Sequence, residues 1–235
     1  SRSSAASDVY KRQKFDSLIN MITLKTEDEI ELLRAANLLV GKTLAEIAKV
    51  IAPGVTTRQL DTLAETFIRD NGAVATFKGF PNPFCVGEVS DEVRQLLKIT
   101  KESLYLGIDA AKVGHRLGDI GYSVQHHCEE NGYGVVREFV GHGIGREMHE
   151  DPMVPNYGHR GNGIMLKNGL CIAIEPMITM GSRDIMMMPD RWAIKTRDGK
   201  PAAHFEHTIA IHHGKADIMS SFEDVEKIEQ QRLNK

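Results

Sequence analysis

The sequence predicts an α+β protein in which two pairs of helices precede a series of short strands. Two observations support this fold class. Apolar residues recur at helical spacing in four segments up to residue 132, and at strand-like spacing after it. The four helical segments also form two pairs separated by a Gly/Pro-rich stretch. This arrangement indicates an internal duplication in which only the second copy kept its sheet.

Each helix of the first pair opens on a capping box, in which a Thr and a Glu or Gln three residues later bind each other's backbone N–H groups. The boxes are Thr26 with Glu29 and Thr56 with Gln59. We expect the first helix to stop at 53–54 (Pro-Gly) and the second at 71–72 (Asn-Gly), because these pairs end helices. The Gly/Pro-rich stretch 78–83 that follows cannot form regular structure.

The second pair repeats this scheme and leads into the strands. One helix begins after Ser90, and Asp119 caps another that ends at 131–132. Runs rich in β-branched and aromatic residues then predict five strands, with a turn at 197–200. The predicted strands span residues 135–140, 170–179, 185–188, 192–196 and 203–212.

The composition is that of one globular domain, with 41% hydrophobic and 26% charged residues among 235. The net charge of −3 argues against a nucleic-acid partner, and no apolar run reaches the roughly 20 residues of a membrane span. Three widely spaced cysteines favour reduced thiols in a cytoplasmic protein over a disulfide scaffold. We interpret residues 1–20 as a disordered leader or an expression scar, and residues 21–235 as a single domain.

Two histidines in a Gly-rich segment are candidates for chemistry. His142 lies between two glycines, which let a ligand or a backbone approach closely. Its imidazole can bind a metal, or it can be an ordinary turn histidine. His149 is not at the spacing of a helical zinc motif. It can act as a general acid or donate a hydrogen bond to a developing negative charge, or it can be a surface histidine.

Two glutamates lie beside apolar, strand-like residues. Burying Glu175 unpaired behind the apolar run 172–174 would cost several kcal/mol, which favours a metal-binding role over an edge position facing water. Because side chains alternate along a strand, Glu206 shares one face with His204, and the residues between and after them share the other. Glu206 can therefore be a metal ligand with His204 beside it, or both can belong to a solvated face.

This combination of imidazole and carboxylate groups suits Mn, Fe(II), Co or Zn better than metals that prefer thiolates. Such an ion lowers the pKa of bound water, so hydrolysis is the expected reaction class. Two other catalytic signatures are missing from the sequence: the phosphate-binding G-x-x-x-x-G-K-[ST] and the nucleophilic G-x-S-x-G.

Several long phrases in order make the chain similar to the type I methionine aminopeptidases, from Met21 to about Phe222. The phrases are MITLKTEDEIELLRAANLLVGKTLAEI, PGVTTRQLD, FCVGEVSDEV, GDIGYSVQ, REFVGHGIG, MHEDPMVPNYG, CIAIEPMI and PAAHFEHTIA. The resemblance implies the pita-bread fold, in which helix pairs of two related halves pack on a curved antiparallel sheet. It also implies a metallo-exopeptidase that removes the N-terminal methionine of nascent polypeptides, with the ribosome as a further candidate partner.

The resemblance assigns roles residue by residue. His142, Glu175 and Glu206 match metal ligands, and Glu175 also matches a carboxylate that transfers protons. His149 matches the histidine that contacts the scissile amide and stabilises its developing charge. The positions that line the pocket for the methionine side chain are matched by Met148 and Trp192.

One part of the family pattern has no counterpart, between Phe84 and Cys85. The family carries a long segment there, with a substrate-contacting histidine and two metal-binding aspartates. We therefore expect the strands of the first half to be missing, with an unpaired sheet edge and uncovered apolar helix faces as the result. The family binds two divalent ions (Co, Mn, Fe or Zn), whereas we expect at most one strongly held ion here, and impaired activity.

Two classes of function therefore compete. The first is a methionyl aminopeptidase. The alternative is a non-catalytic pita-bread module that binds peptides or the ribosome. Such a module should have lost the remaining ligands, and their retention favours the enzyme.

Overall fold

The computed structural model describes residues 22–75 and 83–233. The predicted leader 1–20 and most of the Gly/Pro-rich stretch 78–83 lie outside the described residues. None of the helices in the described part is long and apolar enough to cross a membrane.

The first helix pair consists of α1 (Glu27–Val50) and α2 (Thr57–Asp70), and both predicted capping boxes are present. In the first box the Thr26 hydroxyl accepts the Glu29 N–H at 3.3 Å, and the Glu29 carboxylate accepts the Thr26 N–H at 3.0 Å. Both helices end close to the predicted stops. The start and stop signals of this pair are therefore confirmed.

The second pair consists of α3 (Asp91–Ala110) and α4 (Leu117–Glu130). The prediction that Asp119 occupies the cap of α4 is wrong in position, since Arg116 lies there and Asp119 is in the first turn. The Asp119 carboxylate accepts the Arg116 N–H at 2.7 Å and the Gly161 N–H at 2.8 Å. Asp119 therefore fixes the start of α4 from inside the helix, as the acidic member of a capping box does.

Ten short strands and a fifth helix follow the second pair. They are β1 (Gly134–Val135), β2 (Gly141–Gly143), β3 (Glu150–Val154), β4 (Cys171–Ile174), β5 (Met177–Thr179), β6 (Ile185–Met187), β7 (Ile194–Thr196), β8 (Ala202–His204), β9 (His207–His212), β10 (Lys215–Ile218) and α5 (Glu223–Leu233). The sheets have the orders β1-β5-β8, β10-β9-β4-β2-β3 and β6-β7, and every pairing is antiparallel. The α+β class is confirmed, and within residues 22–75 and 83–233 all strands follow the second helix pair.

Two of the predicted strands are each broken in two. The segment 170–179 divides at Glu175-Pro176, and the segment 203–212 divides at Phe205-Glu206. Before the first break β4 pairs with β9, and after it β5 pairs with β8 in a different sheet. Pro176 has no N–H to donate to a ladder, which explains why pairing stops there.

The predicted strand 135–140 is wrong beyond Val135. Pairing with β5 ends when the Val136 N–H donates to the Met177 carbonyl at 3.0 Å, and the chain then crosses to the five-stranded sheet. It enters that sheet at Gly141, where an added Cβ would lie only 2.2 Å from the Ala173 carbonyl oxygen. The apolar pattern indicated an extended chain, but not the point at which the chain changes sheets.

The core has one set of clusters around α3–α4 and another around α1–α2, and a further cluster packs Ile30 of α1 with Cys171 and Ala210 of the five-stranded sheet. The second pair packs on both larger sheets, with large side chains such as Leu104, Ile120 and Ile174 fully buried. A smaller cluster joins α1, α2 and α5, and its buried members are Leu44, Ala45, Ile47, Ala48, Ala64 and Val225. The expected uncovered faces are seen only in part, because α5 covers one side of α1 while Leu32, also on α1, remains 72% exposed.

The end of α1 is also fastened by α5. The Arg232 guanidinium donates a 2.8 Å hydrogen bond to the Ala48 carbonyl and a second bond to the Ile51 carbonyl. These are carbonyls of the last turn of α1 and its cap, which have no partner inside the helix.

Candidate metal centre

The candidate site lies where the two long strand segments break. Glu175 separates β4 from β5, and Glu206 separates β8 from β9. The pairs on either side of the breaks are Ile174 with His207 and Met177 with His204. Both carboxylates are therefore placed at the junction of the two sheets.

Three side chains converge at this junction. Ligand atoms of Glu175, His204 and Glu206 all lie within 4.8 Å of one another, and His204 Nε2 is 3.1 Å from Glu175 Oε2. The opposite face points into the core, where Phe205 and His207 contact the Phe222 ring at centroid distances of 6.0 and 4.2 Å. The predicted sharing of one face by His204 and Glu206 is therefore confirmed.

The predicted ligand His142 reaches the same carboxylate from β2. Its Nε2 lies 3.6 Å from Glu175 Oε1, and both side chains are largely buried, at 15% and 12% exposed. Its Nδ1 lies 2.8 Å from the Gly143 carbonyl oxygen, which can only accept, so Nδ1 carries the proton. Nε2 is the ring atom that faces the site, and in this tautomer it offers the lone pair that a metal-binding histidine needs.

The glycines beside His142 hold β2 close to its neighbours. A Cβ on Gly141 would lie 2.2 Å from Ala173 O, and one on Gly143 would lie 2.2 Å from Asp151 O. Any larger residue would push β2 away from β4 or β3 and move the imidazole out of reach.

His149 lies next to His142, with ring centroids 4.2 Å apart. Burial lowers the pKa of His149, and the neighbouring His142 lowers it further. This shift favours the uncharged ring, which retains one N–H that can donate.

The two predicted pocket residues lie near the ends of strands. Met148 is half-buried just before β3 (Glu150–Val154), and Trp192 lies between β6 and β7 with 73% of its surface exposed. The structure brings together the four predicted ligand and catalytic residues; the pocket role of these two stays a prediction.

The electrostatics at Glu206 suit a cation. Burial raises the pKa of Glu206 to about 7, and the nearby Glu175 carboxylate raises it too, while His204 lowers it. No hydrogen-bond donor reaches the Glu206 carboxylate from the described part of the chain. Two carboxylates beside imidazoles, one of them without a donor, are the donor set that a divalent transition metal binds, so the residues fit such an ion.

His204 was not among the residues predicted to bind metal. The sequence contained one signal for it, namely its position two residues before Glu206 on the same strand face. The resemblance did not point to it.

Comparisons with known proteins identify the family of this chain. Residues 82–213, more than half of the chain, match the model of metallopeptidase family M24. The chain belongs to this family. A methionine aminopeptidase from Clostridium acetobutylicum is 39% identical, with 85% of this chain and 99% of the relative covered. Methionine aminopeptidase 1 from Bacillus subtilis is 38% identical with the same coverage.

Solved M24 structures share the fold. The methionine aminopeptidase from Rickettsia prowazekii superposes with a TM-score of 0.81 at 32% identity, over 86% of this chain and 100% of that one. The Thermotoga maritima enzyme superposes with a TM-score of 0.79 at 33% identity, over 86% and 100% of the two chains. The resemblance to methionine aminopeptidases and the pita-bread fold are thereby confirmed.

The coverage values indicate a gap in this M24 chain. The Clostridium acetobutylicum match runs over 247 residues, yet 85% of this 235-residue chain is only about 200 residues. The remaining roughly 47 residues of a relative that is matched over 99% of its length have no counterpart here. This difference agrees with a missing internal segment, and its position between Phe84 and Cys85 stays a prediction.

Proposed function

We propose that this chain is a metal-dependent aminopeptidase that releases the N-terminal methionine from polypeptides. The observation that carries the proposal is the meeting of Glu175 and Glu206 at the strand breaks, with His142 Nε2 3.6 Å from Glu175 Oε1, in a member of the M24 family. Its substrates are the N-termini of nascent chains that begin with Met, with the ribosome as a second partner, and its location is the cytoplasm.

His142, Glu175 and Glu206 would hold one divalent ion, and Co, Mn, Fe or Zn suit these ligands. When bound, such an ion polarises a carbonyl group and makes water a stronger nucleophile. Two carboxylates balance the charge of one divalent cation but not of two. We therefore propose at most one strongly held ion per chain.

The remaining steps belong to side chains of this chain. Glu175 accepts a proton from the attacking water and later returns it to the leaving amine. His149, whose lowered pKa favours the neutral ring, donates a hydrogen bond to the scissile amide as negative charge develops there. Met148 and Trp192 line the pocket for the methionine side chain.

We also propose that the chain turns over more slowly than its relatives. The missing segment would have carried a substrate-contacting histidine and two further metal ligands. The loss of two anionic ligands weakens the affinity for the metal. The loss of the histidine contact to the substrate raises the activation barrier of the hydrolysis.

The test is release of methionine from a Met-Ala-Ser peptide by the full chain loaded with Mn²⁺ or Co²⁺. We expect metal-dependent release that stops on addition of EDTA and resumes when the metal is restored. A well-folded, metal-loaded sample that releases no methionine but binds the peptide would instead support the non-catalytic binding module.

A further inference from the structure

We infer that His204 is a metal ligand and that this chain binds one divalent ion through two imidazoles and two carboxylates, His142, His204, Glu175 and Glu206. The inference rests on the proposed function insofar as that function needs a metal at this site. It adds a residue that neither the sequence patterns nor the resemblance assigns.

The spacing of the ligand atoms supports this role. Two atoms that each lie about 2.0–2.2 Å from an ion, at angles between octahedral and tetrahedral, are about 2.8–3.6 Å apart. The distance from His204 Nε2 to Glu175 Oε2 is 3.1 Å. A metal ion can therefore replace the proton that these atoms share without any large movement of either side chain.

The position of His204 in the fold supports it as well. His204 is the last residue of β8, and its backbone is fixed by pairing with Met177 of β5. The side chain is 35% exposed, so it has room to turn towards an ion. Within residues 22–75 and 83–233, the hydrogen-bonding partner of its ring is Glu175 alone.

Charge gives the third argument. The Glu206 carboxylate lies close to Glu175 and has no hydrogen-bond donor in the described part of the chain, so the pair needs a positive charge between them. One divalent ion provides that charge. A fourth ligand without charge then completes the coordination without making the site more negative, and a neutral imidazole meets this need.

A different role for His204 must be distinguished from ligation. His204 could act only as a positioning residue that orients Glu175 through the 3.1 Å hydrogen bond. The variant His204→Gln separates these roles, because an amide can still donate to Glu175 but is a poor ligand for a transition metal. The matched control is His126→Gln, since His126 is a partly exposed histidine on α4 whose ring contacts Glu130 at 3.1 Å.

The experiment titrates Co²⁺ into the metal-free full chain and records the visible absorption bands of the bound ion. We expect His204→Gln to weaken Co²⁺ binding by at least about 10-fold and to shift the bands, because a nitrogen ligand is lost. His126→Gln should match the unsubstituted chain in affinity and spectrum. X-ray absorption of the Co²⁺-loaded unsubstituted chain should count two imidazole ligands, a result that does not depend on the folding of any variant.

The outcomes separate this inference from the proposed function. An unchanged spectrum in His204→Gln, or one imidazole by X-ray absorption, overturns the role of His204 and leaves the proposed function standing. A chain that binds no Co²⁺ at all overturns both. Co²⁺ binding through two imidazoles supports the inference even if no methionine is released from peptide.

Discussion

The two helix pairs of this protein begin with similar sequence signals and have different surroundings. The pair α3–α4 packs on two antiparallel sheets, whereas the pair α1–α2 meets a sheet through Ile30 of α1, which packs with Cys171 and Ala210, and is joined to α5 through a separate small cluster. The five residues of the candidate centre all come from the region after α4; they are His142, His149, Glu175, His204 and Glu206. The difference teaches that capping signals determine where helices begin, whereas neighbouring strands determine which helix pair can support a site.

The largest expected effect is on chemistry, from Glu175→Gln. The amide cannot accept a proton or bind a cation as the carboxylate does, so methionine release should fall by about 10²–10⁴-fold. Release from Met-Ala-Ser is measured at saturating Co²⁺, together with Co²⁺ affinity, which should also fall. The control in the first pair is Glu46→Gln on α1, where the carboxylate contacts Lys49 on the surface. Equal losses in both variants would contradict the separation of the two regions.

The second prediction compares core substitutions in the two regions. Ile174 is fully buried and directly precedes Glu175, and Leu44 is 5% exposed in the cluster of α1. Ile174→Ala and Leu44→Ala should each lower the free energy of unfolding by about 2–5 kcal/mol, through lost burial and the cavity left behind.

The two core variants should differ in metal binding. Under conditions where both are folded, Ile174→Ala should weaken Co²⁺ affinity because the cavity loosens the strand break. Leu44→Ala should leave that affinity unchanged. Urea unfolding and Co²⁺ titration measure the two quantities. Weaker binding in Leu44→Ala would show that the first helix pair supports the site after all.

The smallest effect concerns the starts of the helices. Asp119→Ala should lower the free energy of unfolding by roughly 1 kcal/mol at pH 7, since the carboxylate accepts backbone N–H groups at the start of α4. The bond from Arg116 N–H, followed by that from Gly161, holds the pKa of Asp119 below its ordinary value. A lowered acid pKa stabilises the fold above the pKa of the unfolded chain, about 3.9, and this contribution is lost as the pH falls through the folded value.

The difference between Asp119→Ala and the unsubstituted chain should therefore shrink below about pH 4. The matched variant in the first pair is Thr26→Ala. Because the hydroxyl of Thr26 does not titrate, the loss of unfolding free energy in this variant should depend less on pH. Urea unfolding between pH 3 and pH 7 measures both. A pH-independent difference for Asp119→Ala would contradict its role at the helix start.

The sequence predicted the helices better than the strands, for a physical reason. A helix start depends on residues three apart, so Thr26 with Glu29 could be read locally. A strand end depends on where its partner strand ends. The breaks at Glu175 and Glu206 and the early end of β1 (Gly134–Val135) could not be read from apolar patterns.

The residues of the site also divide into those that local sequence could predict and those that it could not. Its acids stood out because each carboxylate followed or preceded an apolar run, and family resemblance gave His142 and His149 their roles. The contact between His204 and Glu175 became visible only when β8 was placed against β5 (Met177–Thr179), because the two residues lie 29 positions apart in sequence. A contact between residues so far apart in sequence can be predicted only when the register of the strands is known.

The packing of α5 on α1 has a consequence for folding during synthesis. The helix α1 ends at Val50, whereas α5 begins only at Glu223. At ordinary rates of synthesis, about 5–20 residues per second, roughly 9–35 seconds pass before the α5 residues that cover Leu44 and Ala48 are made. During that interval α2 is the neighbour available to this apolar side of α1, so α1 acquires its full cover only after α5 is made.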